Sequence, residues 1–266
     1  MKMLARRGFL QQLGGYIGVL PSASGICSPA VPRMHKRRIS QSELEGAVIL
    51  HAAWLADDSR GVRAAFSGCD LSGLDFVSSQ KGIVDLRGSD FTEADLSAIT
   101  GNEVSFHRAS LQSARLSWSR LKLPILCGAT LRKAWCNDVV WGWQSPSASI
   151  PPPSMNGWSP RATFINADLS FSNFDGARVI GYFLGTRFSS ASLRNTDLSH
   201  SNFDGIKHAC ENSFAGSDLI RTNFRYASID ATNFRFARLI DPDFSFAEIR
   251  TKCTWPAKLD LPPTET

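Results

Sequence analysis

The chain has 266 residues, 43% hydrophobic and 20% charged, which supplies a sizeable core and excludes a disordered or collagen-like chain. Its net charge of +5 is unevenly placed: residues 1–40 hold seven basic residues and no acid, whereas residues 41–266 hold 22 basic and 24 acidic, so the body is nearly neutral and gives no ground for direct nucleic-acid binding. Six scattered cysteines form no CxxC pair and no Cys/His spacing suited to zinc, and no apolar run reaches transmembrane length.

The leader, residues 1–40, contains Arg6-Arg7-Gly8-Phe9-Leu10, an apolar segment Leu13–Leu20 and a small-residue site at Ser28-Pro29-Ala30. It resembles a twin-arginine export signal, which implies a periplasmic protein cut near Ala30. The alternative is a cytoplasmic protein that starts at Met34, just ahead of His35-Lys36-Arg37-Arg38.

Residues 41–60 predict a short helix, Ser42–Asp57. Ser42 and Glu45 have capping-box spacing, and Leu44, Ala47, Val48, His51, Trp54 and Leu55 follow helical periodicity. His51 lies on the apolar face and is expected to be structural.

A five-residue rhythm then organises the chain. In a first array, 61–143, unit centres fall at Phe66, Leu71, Phe76, Lys81, Leu86, Phe91, Leu96, Gly101, Phe106, Leu111, Leu116, Leu121, Leu126 and Leu131. In a second array, 162–250, they fall at Phe164, Leu169, Phe174, Val179 and Leu184, at Phe188, Leu193, Leu198 and Phe203, and from Phe214 every fifth residue to Ile249. The residue two before a centre is usually small, and the one just before it is often Asp or Asn. Inward positions alternate by two and three, which fits neither a straight strand nor a helix. A chain that turns a corner in every unit removes the conflict, because Asp, Asn, Ser and Gly accept such turns.

The pattern resembles the pentapeptide-repeat family, A(D/N)LxX. That resemblance implies an all-β, right-handed, four-sided β-helix in which residues twenty apart stack: Phe214 under Phe234, Phe224 under Phe244, Leu219 under Leu239 and Ile229 under Ile249. An open solenoid end exposes apolar interior and unpaired strand edge, so the helix at 41–60 is expected to cap it.

Lys81 and Gly101 break the rhythm as centres, and Pro124 suggests a local irregularity. Gln144–Arg161 interrupts it outright with Pro146, Pro151, Pro152, Pro153 and Pro160. Trp135, Trp141, Trp143 and Trp158 cluster around this inserted loop and are the candidate partner-binding residues; the alternative is that they fold back and cover the rod. Two register slips follow, Leu184 to Phe188 and Phe203 to Phe214, the second leaving a bulge at Lys207–Glu211. In the tail, 251–266, Trp255 is expected to cover the last coil.

No Ser-His-Asp set, phosphate loop or HExxH motif stands out, and the repeated Asp residues are explained by turns. The sequence therefore points to a non-enzymatic module whose partner is another protein, with no small-molecule cofactor and no metal. Two rivals stay open. One is an enzyme with a loop-borne site that uses His107, His200 or His208. The other comes from the family resemblance alone: DNA mimicry that binds type II topoisomerase and protects it from quinolones.

Overall fold

In the unit centred on Phe91, the Asp90 carboxylate accepts the Thr92 N–H at 2.9 Å, Glu93 takes φ +59°, and the Ala94 N–H returns to the Phe91 carbonyl at 3.0 Å. The left-handed residue turns the chain, so Leu96 begins the next side. Repetition of this unit builds the whole architecture. The computed structural model describes residues 36–76, 83–142, 162–204, 211–250 and 252–257.

Four units close one coil of a right-handed, four-sided β-helix, and parallel pairing joins each coil to the next. Asp90 pairs with Ser110 and Ser110 with Thr130, each twenty residues on. Pairing sorts the centres into four ladders. Face 1 carries Phe66, Phe91, Leu111, Leu131, Leu169, Phe188, Phe214, Phe234 and Trp255. Face 2 carries Ile39, Leu71, Leu96, Leu116, Cys136, Phe174, Leu193, Leu219 and Leu239. Face 3 carries Phe76, Gly101, Leu121, Trp141, Val179, Leu198, Phe224 and Phe244. Face 4 carries Leu86, Phe106, Leu126, Phe164, Phe183, Phe203, Ile229 and Ile249.

The expected stacks form. Phe214 and Phe234 lie 5.2 Å apart within 3° of parallel, and Phe224 and Phe244 lie 4.9 Å apart. Leu219 pairs with Leu239 and Ile229 with Ile249. Each buried centre contributes about 1.5–3 kcal/mol, and each aromatic contact roughly 0.5–1.5 kcal/mol more.

The helix, α1, spans Gln41–Ala56, and its cap is Ser40 with Glu43, not Ser42 with Glu45. The reason is tertiary. The Ile39 N–H donates to the Asp70 carbonyl at 2.8 Å, so extended chain is held up to Ser40 and the earlier Ser-x-x-Glu takes the cap. Hydrogen bonds from Ser40 hold the Glu43 carboxyl below its ordinary pKa.

This segment seals three faces of the first coil. Arg37–Ile39 pairs with Asp70 on face 2. The Gln41 side-chain amide donates to the Asp75 carbonyl at 2.8 Å and accepts its N–H at 3.1 Å on face 3. Fully buried His51 accepts the Ala64 N–H on Nδ1 at 3.1 Å, which leaves its Nε2 hydrogen for the Arg87 carbonyl, also at 3.1 Å, on face 4. Burial pushes the His51 pKa down.

Several centres differ from the sequence reading. Cys136 and Trp141 continue the first array and are fully buried. The slip expected at Leu184 sits one residue earlier: Thr163 pairs with Tyr182, so Phe183 is the centre under Phe164, ring centroids 4.7 Å apart. Stacking of Phe164, Phe183 and Phe203 decides the register over Leu184, which stays half-buried. Lys81 lies outside the described residues; Asp75 pairs with Thr100, so the first coil is five residues longer than twenty, and the extra length lies between Phe76 and Leu86. Pro124 causes no irregularity in register, since Ser105, Ile125 and Thr163 pair in line.

Three departures from a twenty-residue step share a place: the five extra residues between Phe76 and Leu86, the long interval between Trp141 and Phe164, and the one-residue shortening before Phe183 all separate a face-3 centre from a face-4 centre. Two others separate face 4 from face 1: the interval between Asp204 and Asn212, where the buried Asn212 amide donates to the Phe203 carbonyl at 2.7 Å, and the one extra residue between Ile249 and Trp255.

Candidate functional site

The four tryptophans of the expected loop separate. Trp141 is a core residue: it is fully buried, packs on Phe164 and Phe174, and donates its indole N–H to Ser119 Oγ at 2.9 Å. An indole so placed is unavailable to a partner, which corrects its candidacy. Trp143 and Trp158 lie outside the described residues. Trp135 is 55% exposed, one residue before centre Cys136 on face 2.

Trp135 is joined on that face by a residue the sequence reading missed. Trp118, 58% exposed, follows centre Leu116 in the adjacent coil, and the Leu116 N–H donates to the Trp135 carbonyl at 2.7 Å. Trp118 has φ +62°, a left-handed conformation that a bulky side chain enters at a cost of about 1–2 kcal/mol. Its place, two past a centre, was legible as an outward corner slot.

The stretch of chain that carries the pair is basic, but the coils spread its charges over four sides: Arg115 stands on face 2 with Asp95 and Asp138, Arg120 and Lys122 on face 3, Arg108 on face 4, Arg132 and Lys133 on face 1. Residues 104–137 contain Arg108, Arg115, Arg120, Lys122, Arg132, Lys133 and no Asp or Glu, and Asp138 is the lone acid from 104 to 167. Arg132 is engaged by Asp168 at 3.3 Å and lies over the Phe171 ring at 5.1 Å, while Arg115 reaches Asp95 only at 3.9 Å. Arg108, Arg120, Lys122 and Lys133 are exposed and make no ion pair among the described residues.

Elsewhere the polar groups serve the fold. Burial alone would raise the Asp168 carboxyl, but hydrogen bonds from Ser170 and the Arg132 guanidinium outweigh it and hold it below the ordinary carboxylate range. A groove of about 410 Å³ on face 4 is lined by Thr163, Tyr182, Leu184, Asn202 and Asp204, with the Asp204 carboxylate taken by Ser228 Oγ at 2.7 Å. His107 stands on face 4 and His200 on face 3, several coils away against Tyr226 at 4.8 Å; His208 lies outside the described residues. Among the described residues, four cysteines are free, no group of His, Cys, Asp and Glu is placed to hold a metal ion, and no helix is long and apolar enough to cross a membrane.

Comparison with known proteins agrees with this architecture. A model of pentapeptide repeats matches eight copies, over residues 84–117, 182–207 and 214–251. No curated protein matches the chain. Among solved structures it is similar to HetL, a pentapeptide-repeat protein involved in heterocyst differentiation regulation from the cyanobacterium Nostoc sp. strain PCC 7120, at 23% identity over 70% of this chain and 81% of that one, with a TM-score of 0.30. It is also similar to QnrB1, a plasmid-mediated fluoroquinolone resistance protein, at 14% identity over 71% and 87%, TM-score 0.28. A third is Rfr23 from the cyanobacterium Cyanothece 51142, at 19% identity over 49% and 89%, TM-score 0.22. With its five-residue units, four-sided coils and the match to eight repeat copies, the chain carries pentapeptide repeats and folds through them as a four-sided β-helix.

Proposed function

We propose that the chain is a non-catalytic protein-binding rod that holds its partner on face 2 through Trp118 and Trp135. The observation that carries this reading is the pair itself: two large aromatic side chains, both more than half exposed, in adjacent coils of one face. Exposed Trp is disfavoured in a protein without a partner and favoured as an interface anchor. No cofactor enters this reading.

The test is partner retention on immobilised full-length protein from native cell extract, comparing the wild type with the W118G/W135S double variant. Loss of a specific protein band with the double variant is the expected result. Retention of the same band with both indoles gone would sink the reading.

The topoisomerase alternative requires a rod that imitates the acidic surface of duplex DNA. The belt from Val104 to Asn137 has the opposite sign. This disfavours the mimic reading, and absence of any effect on gyrase supercoiling by the purified protein is the expected outcome.

A further inference from the structure

We infer that α1 is a proton-gated strap: protonation of His51 lifts the second half of the helix off the first coil while its N-terminal end stays bound. This device does not depend on the partner site of face 2.

The N-terminal fastenings do not titrate in mild acid. The Ile39 N–H donates to the Asp70 carbonyl and the Asp70 N–H to the Arg37 carbonyl, each at 2.8 Å. The Gln41 amide holds both backbone groups of Asp75 and carries no titratable proton. Burial alone would raise the Asp70 carboxyl, but hydrogen bonds from Ser72 and Arg38 hold it below the ordinary range, so its 3.0 Å ion pair with Arg38 persists.

The second half of the helix rests on one titratable ring. Leu44 and His51 are the fully buried side chains of α1, about two turns apart. The Ala64 N–H points at His51 Nδ1, and the Arg87 carbonyl takes the hydrogen on Nε2, each at 3.1 Å. An added proton therefore has only Nδ1 to occupy, where it opposes the Ala64 N–H and leaves a buried imidazolium. The charges that face the ring come from the first coil: Asp85, Arg63 and Arg87. Asp85 is already engaged by the Arg87 guanidinium, Nε to Oδ2 at 2.8 Å. The helix contributes none there, since its two acids, Glu43 and Glu45, lie near its start. Beyond its end Asp57 is taken by Arg60 at 2.9 Å, and Asp58 is exposed. No unanswered carboxylate faces the ring among the described residues, so the proton is accommodated by moving the helix away.

The return segment travels with it. The Val62 N–H donates to the Leu50 carbonyl at 3.1 Å, and Gly61 lies so close to the helix that a Cβ there would come within 2.1 Å of the Trp54 nitrogen. Arg63 and Ala64 stay with the coil: the Arg63 guanidinium binds the Gly88 carbonyl at 2.5 Å, and the Ala64 carbonyl accepts the Asp90 N–H at 3.1 Å. The swing thus falls between Val62 and Arg63. It uncovers the Ala64 N–H and the Arg87 carbonyl, an open strand edge that neutral pH keeps hidden.

Amide hydrogen exchange of the full-length protein at pH 7.5 and pH 5, expressed as protection factors, tests this. Protection of the Ala64 amide and of the second half of α1 should fall by up to about thirtyfold, the gain in open population for a histidine that takes its proton near pH 6.5 only when released. The Ile39 and Leu116 amides should keep their protection. His51→Gln should remove the difference, because its amide accepts from Ala64 and donates to Arg87 without titrating. In the wild type alone the loss should begin near pH 6.5, so the outcome does not hang on the folding of the variant. Unchanged protection at Ala64, an equal loss throughout the rod, the same loss in His51→Gln, or an onset below about pH 5, where carboxylates titrate, would each overturn the strap.

Discussion

Trp255 lies flat on Phe234, ring centroids 4.6 Å apart and planes within 3°, and meets Phe244 edge-on at 5.8 Å. It is the last rung of face 1, held by pairing of Thr254 with Asn233. Trp255→Ala therefore exposes the end of an aromatic ladder. Because Trp255 itself keeps part of its surface in solvent, the expected loss is about 2 kcal/mol, at the lower end for a large aromatic, read as a lowered urea midpoint.

Ser119 and Trp141 give a sharper test of core against surface indoles. Ser119→Ala leaves a buried indole N–H without an acceptor and should cost about 1–3 kcal/mol. Trp135→Ser should change stability by less than about 0.5 kcal/mol, since Trp135 is exposed. Equal losses at the two sites would show that Trp135 is packed in solution.

Trp118→Gly should stabilise the rod by about 1 kcal/mol, because glycine accepts the left-handed backbone that tryptophan holds under strain. The same variant should bind partner less well. A rise in denaturation midpoint together with a fall in retention separates a functional tryptophan from a structural one.

His51 links stability to acidity. It is neutral in the folded state, buried between α1 and the first coil, stacked on Trp54 at 5.3 Å, with Asp85, Arg63 and Arg87 as the nearby charges. Burial depresses its pKa below the ordinary 6.5, so the unfolded chain takes the proton first. The contribution is complete above about pH 6.5 and is lost as pH falls below it. The denaturation midpoint should drop from pH 7.5 to pH 5, and His51→Gln should flatten that drop; equal slopes would place the acid sensitivity elsewhere.

For the leader, export by the twin-arginine-like segment is our proposal. The mass of the protein recovered from fractionated native cells checks it. A periplasmic form cut near Ala30 is expected, and a cytoplasmic form beginning at Met34 would replace that expectation.

Much of the architecture was legible because one side of the coil needs one short, repeated pattern. Leu219 over Leu239 follows from counting to twenty. Counting failed where two apolar neighbours competed. Phe183 and Leu184 are equally apolar, and only the ring stack from Phe164 to Phe203 selects the first. Ser40 and Ser42 compete likewise for the helix cap, and a strand bond at Ile39 settles it. Trp141 was grouped with the loop candidates because of its Pro-rich neighbours, with folding back onto the rod as the alternative, although it lies five residues after Cys136 and ten after Leu131. The face-2 site needed the fold, since Trp118 and Trp135 are separated in sequence and become neighbours only through coil pairing.

Register crosses the interval between Trp141 and Ala162 intact: Arg120, Val140 and Arg178 follow one another on face 3, and Ile125 meets Thr163 on face 4. The coils thus keep count across that interval. Such a rod behaves as a ruler with divisions of about 4.8 Å. Adding or removing a coil on the α1 side would slide the Trp118–Trp135 mark by whole divisions while leaving it facing the same side, so the distance from capped end to mark can be set independently of the chemistry at the mark.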